Sequence, residues 1–133
     1  MCLHVSKNVK VKFNKDGYAT AYKIYKKGER RLISLFMGTR TEKPGIKKSN
    51  RFTTCLTNDE VLNKIVDLGI HVFLNKKDAR KETSYGCPER EIVVPVLVCE
   101  DDFVAAGNFF IAKSAVFTKI EITKETWNKI FKD

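Results

Sequence analysis

The stretch IVVPVLVC, residues 92–99, constrains the fold more than any other part of this sequence. Eight consecutive apolar residues, five of them β-branched, are far short of the roughly 20 needed to cross a bilayer. They read as a strand buried on both faces, so the chain has to build a sheet and cover it. Pro95 complicates the run, because it removes a ladder donor and favours an edge or a bulge.

Other segments carry the same period in half-buried form. VKVKF (9–13) puts Val9, Val11 and Phe13 on one side and Lys10 and Lys12 on the other, the pattern of a strand. NKDG (14–17) is a turn signal, and YATAYKIY (18–25) reads as the returning strand. KKGE (26–29) turns into a third strand, RRLISLF (30–36). The segment 38–50 is poor in apolar residues and contains KPG and KKSN, so a mobile basic loop is expected there. IHVFL (70–74) reads as a strand. FVAAGNFFIAK (103–113) reads as a short strand with a turn at Gly107. AVFTKIEI (115–122) alternates with Val116, Thr118, Ile120 and Ile122 on one face.

Three helices are expected. TNDEVLNKIVDLG (57–69) has a Thr57-x-x-Glu60 capping box, an apolar stripe of Val61, Leu62, Ile65 and Leu68, and Gly69 as its stop. Asn75 is placed to cap a short helix running to Glu82, with Ala79 against the body of the protein. Thr123 caps a last helix that holds Trp127, Ile130 and Phe131. The expected fold is therefore a single α+β domain over 1–133, with a mostly antiparallel twisted sheet of about five to seven strands and two or three short helices.

Charge is the second constraint. Residues 1–50 carry 13 Lys and Arg against 3 Asp and Glu, whereas residues 51–133 carry 12 against 13, so the net charge of +9 belongs to the first part of the chain. Clustered cations are a field that attracts anions. Lys10, Lys12, Lys23, Tyr25, Arg30 and Arg31 are expected on adjacent strands, with Arg40, Lys47, Lys48 and Arg51 in or beside the long loop. Meandering strands would align these cations on one face, with Tyr25 as a ring for a base to stack on. A solvated outer face above an apolar inner one accounts for the same alternation.

His71 shares its strand face with Phe73 and precedes Lys76, Lys77, Arg80 and Lys81. A histidine there can orient a phosphate or move a proton near neutral pH. A ring satisfied by a backbone carbonyl fits the position equally. The ligand set expected from the sequence is thus Lys10, Lys12, Lys23, Tyr25, Arg30, Arg31, Arg40, Lys47, Lys48, Arg51, His71, Lys76 and Arg80.

Metal chemistry has little support. Cys2, Cys55, Cys87, Cys99, His4 and His71 include no C-x-x-C pair. No G-x-S-x-G, P-loop or G-x-G-x-x-G stretch is present, so no cofactor and no catalytic residue is assigned. The amino terminus lacks an apolar signal core, and the four cysteines are expected as free thiols in a reducing, cytoplasm-like compartment with no membrane association.

MCL at the start, AYKIY, GIH (69–71), Asp78-Ala79, IVVPVLVC, AAG (105–107) and TKIEI (118–122) together resemble a loose group of short proteins encoded by phages and prophages. The resemblance implies a phage or mobile-element origin, with the host cytoplasm as compartment and anti-defence binding as the role; it assigns no residue. Three functions follow as expectations. The first is a non-enzymatic binding protein, compatible with a homo-oligomer, for a phosphate-bearing ligand such as a nucleotide signal or a nucleic acid. The second is an inhibitor that binds a host defence nucleoprotein. The third is a small enzyme using His71.

Overall fold

The computed structural model describes residues 3–34, 40–49, 65–66, 69–82, 91–109 and 112–132. Its strands are β1 (Leu3–Val5), β2 (Tyr18–Gly28), β3 (Arg31–Ser34), β4 (Arg40–Thr41), β5 (Gly45–Lys48), β6 (Ile65–Val66), β7 (Ile70–Phe73), β8 (Glu91–Cys99), β9 (Phe103–Phe109), β10 (Ala112–Phe117) and β11 (Lys119–Ile122). Two α-helices, α1 (Lys76–Glu82) and α2 (Lys124–Ile130), and one turn of 3-10 helix, Glu100–Asp102, complete the described elements. All pairings are antiparallel, in the order β5-β11-β8-β2-β7-β10-β9-β1-β6, with β3 beside β2 and β4 beside β3. An α+β fold with a mostly antiparallel sheet is therefore observed, but with eleven strands among the described residues rather than five to seven.

The extra strands come from short pieces that read as loop. Within 38–50, β4 and β5 pair with β3 and β11, so that segment is not the structureless loop expected. Edge strands need little apolar content, because only part of their surface is covered. AVFTKIEI is split instead of continuous: β10 ends at Phe117, the Thr118 amide donates to the Asp102 carbonyl, and β11 begins at Lys119.

The β2–β8 ladder is the spine. It runs from Tyr18–Cys99 to Lys26–Glu91, and residues opposite one another share a face. The inner face carries Ala21 and Tyr25 from β2, Val94, Val96 and Val98 from β8, and Ile120 and Ile122 from β11. Val72, Ala115, Phe117 and Ala106 extend it across β7, β10 and β9, and Trp127, Ile130 and Phe131 of α2 pack over it. Phe117 meets both Phe13 and Phe103 edge-on, at centroid distances of 6.2 and 5.7 Å. The outer face is covered where Ala79 of α1 packs with Ile24, Phe73 and Ala112. Beyond α1 the outer face of β8 is only partly covered, with Pro95 exposed and Leu97 and Cys99 half-buried. IVVPVLVC is thus buried on its inner face alone, and the uninterrupted apolar run hides an asymmetry that its neighbours impose.

VKVKF keeps its alternation but is not a strand. Val9 is buried and Val11 and Phe13 pack against the inner core, yet 9–13 joins no ladder. Period two reports an extended chain with one side covered, and a ladder is only one way to produce it. Of the helix expected over 57–69, the described residues Ile65–Val66 form β6 against β1; the capping box and the first two turns lie outside the described residues. Gly69 does have a positive φ of 97°.

Both remaining caps form as read. The Asn75 side-chain oxygen accepts from the Asp78 amide at 2.7 Å, and the Thr123 hydroxyl accepts from the Thr126 amide at 3.2 Å. Asp78 Oδ2 also accepts from the Lys113 amide, which ties α1 to β10. Replacing Asn75 with alanine is expected to cost about 1 kcal/mol, measured by urea unfolding, because an orphan helical amide loses its acceptor.

Candidate functional site

The register decides which candidate residues can act together. On β2 the pleat sends Lys23, Tyr25 and Lys27 to the inner face and Tyr18, Thr20, Tyr22 and Lys26 to the outer one. Tyr25 is 2% exposed, so it cannot serve as a stacking platform. Its hydroxyl is pushed well above the usual phenol range by burial. Lys23 is half-buried on the same face: its ammonium reaches the His71 carbonyl at 3.4 Å and lies 5.7 Å from the Tyr25 ring centre, and desolvation lowers its pKa to about 8. Both side chains face the inner core, away from the face that carries Tyr18.

The other predicted cations are scattered. Lys10 is exposed on the segment before β2, and Arg30 holds the β2–β3 turn at a positive φ of 52°. The pair Arg31–Gly28 and the chain of pairs Lys26–Ile33–Arg40 place Arg31, Lys26 and Arg40 on the outer face, beside the β3–β4 edge. Lys47 and Lys48 lie on β5, at the opposite edge of the sheet. Desolvation, and behind it the charge of Lys43, lowers the Lys47 pKa. Lys76 and Arg80 are on the exposed side of α1. His71 is 8% exposed, on the outer side of β7 with Phe73 as expected. Arg51 lies outside the described residues. Among the described residues the cations anticipated on one face are divided between faces and edges, because alternate residues of one strand must leave by opposite faces.

One candidate does line a cleft. Lys12, Phe13, Asn14, Tyr18, Ala19, Thr20 and Leu97 line an open depression of about 310 Å³ at the start of β2. Asn14 shapes it: its side-chain oxygen accepts from the Asp16 and Tyr18 amides at 2.9 and 3.0 Å, holding the turn that brings Lys12 beside β2. Tyr18 is 42% exposed, a large ring open to solvent. A second depression, of about 220 Å³, shares Tyr18 and Leu97 with the first and is bounded by Ile46, Cys99, Asp101, Asp102, Lys119 and Glu121. The cross-strand pairs Leu97–Glu121 and Glu121–Ile46 run through it in one row, which Thr20–Leu97 continues into the first depression. Asp102 is engaged with Lys119 at 3.8 Å.

Tyr18, Thr20, Leu97 and Glu121 were not singled out from the sequence. The available signal was the pleat itself: if Tyr25 faces the core, Tyr18 must face out. Choosing between the two tyrosines required knowing which face α2 covers.

A different polar group stands outside this cleft. Both carboxylate oxygens of Glu91 are buried without a hydrogen-bond partner, as is Nε of Arg31. On α1, burial and then the charge of Asp78 raise the pKa of Glu82. Among the described residues no three His, Cys, Asp or Glu are grouped to hold a metal ion, and no helix is long and apolar enough to cross a membrane. Comparison with protein-family models, curated proteins and solved structures finds no match.

Proposed function

We propose that this chain is a non-enzymatic binding module for a phosphate-bearing ligand, a nucleotide or a nucleic acid, held on the outer face at the Lys12–Tyr18 cleft. The observation that carries the reading is a solvent-open tyrosine ring lining the same cleft as an exposed lysine. The ring offers a π-face to a base, and the ammonium offers a counter-charge to its phosphate. Asn14 and Thr20 add hydrogen-bonding groups to the wall.

Stacking on one aromatic is worth about 1–3 kcal/mol per base. Tyr18→Ala is therefore expected to weaken binding of a fluorescent nucleotide or short single strand by about tenfold or more. Lys12→Ala is expected to lower the salt dependence of binding by about one counter-ion. Affinity that ignores both salt and Tyr18 overturns the proposal.

A second reading, an inhibitor of a host nucleoprotein, is favoured by Ile46. This side chain is 55% exposed on β5, which among the described residues pairs with β11 alone. Pull-down of a stoichiometric protein partner that survives nuclease treatment is its expected result.

A further inference from the structure

Strand β5 ends the sheet: among the described residues it pairs with β11 alone. The Ser49 amide donates to the Thr118 carbonyl at 2.9 Å, so the hydrogen-bonded pairs of this ladder are Ser49–Thr118, Lys47–Ile120 and Gly45–Ile122. The N–H and C=O of Ile46 and Lys48 therefore point away from β11, to the open edge. Lysines usually guard such an edge against pairing. KPGIKK (43–48) has Lys43, Lys47 and Lys48 and no acid, yet Ile46 among them is 55% exposed, more than Tyr18 or Phe103. On the outer face Ile46 lies beside Glu121, and Lys48 beside Lys119, which is engaged with Asp102. Lys47 points to the other face.

We infer that this edge takes an extended acidic protein segment as an added antiparallel strand. The inference rests on the second reading above, in which the partner is a protein, and is independent of the Lys12–Tyr18 cleft. An added strand meets the outward N–H and C=O groups with its own, and its side chains alternate between faces in step with β5. From its amino terminus onward, the segment sets one residue opposite Lys48, the next opposite Lys47 and the third opposite Ile46. Carboxylates suit the first two positions. The third is apolar, because it covers Ile46 and because Glu121 beside it repels an acid. A second copy of β5 is a poor occupant: it would bring Lys47 and Lys48 against their counterparts, and like charges directly opposite are destabilising. A nucleic acid strand would satisfy the lysines, but it brings no alternating amides and carbonyls and leaves Ile46 uncovered.

The test follows amide NMR spectra of the full chain on titration with the peptide Ser-Thr-Glu-Glu-Val-Thr-Ser, with Ser-Thr-Lys-Lys-Val-Thr-Ser and oligothymidylate as rival probes. The acidic peptide is expected to shift the Ile46 and Lys48 amides and to slow their hydrogen exchange by about tenfold, while Gly45 and Lys47, already bonded to β11, change little. Ile46→Pro removes an outward donor without touching the β11 ladder and is expected to abolish these shifts; its own spectrum at β11 checks the fold. Lys47→Glu with Lys48→Glu is expected to weaken the acidic peptide by about tenfold and to admit the lysine peptide in its place. Acidic-peptide binding that leaves the Ile46 and Lys48 amides unchanged overturns the inference, as does no binding at millimolar peptide. So do equal binding of the lysine peptide to wild type, oligothymidylate on the same amides, or a dimer that Ile46→Pro dissolves. A stoichiometric protein partner retained by Ile46→Pro overturns it and leaves the second reading standing.

Discussion

Replacing Lys23 with methionine is expected to stabilise the fold at neutral pH by about 2–3 kcal/mol. The half-buried side chain points to the inner face, with one long hydrogen bond to the His71 carbonyl and one ring contact in place of part of its water. Burial lowers its pKa from 10.5 to about 8, so at pH 7 the folded protein still carries the charge and its desolvation cost. Methionine fills a similar volume without that charge. Between about pH 8 and pH 10.5 the unfolded chain binds more protons here than the folded one, so the wild type gains stability as pH rises. The advantage of methionine is complete below pH 8 and fades across that window. Urea midpoints for both proteins at pH 7 and near the alkaline limit measure the effect. Equal midpoints at pH 7 would show that the amine is hydrated in the native state.

Gly107→Ala is expected to destabilise by at least ~3 kcal/mol, beyond the usual cost of overpacking, because the obstruction is backbone. Gly107 is not the turn that its place in AAGN implied. It lies within β9, opposite Val5 of β1 and Ser114 of β10. A Cβ there would collide with the His4 carbonyl oxygen and lie 2.8 Å from the Val5 Cα. Strand β1 would have to leave the sheet, taking Leu3 out of the cluster it forms with Ala105 and Val116. Hydrogen exchange should report the loss first at the β1–β9 amides, with the β2–β8 ladder protected longest. Wild-type protection throughout β1 in a folded Gly107→Ala protein would refute the close approach.

These two residues show where sequence reading stops. Lys23 alternates correctly within YATAYKIY, and a lysine in a strand is ordinarily assigned to the wet side. Here it shares the inner pleat with Ala21 and Tyr25, because those residues oppose Val96 and Ile92 of β8. Gly107 is ambiguous for a related reason: a missing side chain serves a turn and a tight strand–strand approach equally well. Only the position of β1, which is far away in sequence, separates the two.

The helix caps at Asn75 and Thr123, the strands at 18–25 and 70–74, the acidic turn at 100–102 and the antiparallel α+β class were all readable, because each depends on contacts within a few residues or on a simple period. The same holds for His71 sharing a side with Phe73. The candidate site was not readable in that way. Its parts are Lys12 from the approach to β2, Tyr18 and Thr20 from β2, Leu97 from β8 and Glu121 from β11. They converge only through register, and register is set by which face the core covers. The charge imbalance of residues 1–50 is a property of composition and survives any fold. Its division between two faces and two edges is a property of the sheet, since neighbouring residues in a strand point in opposite directions and composition is blind to direction.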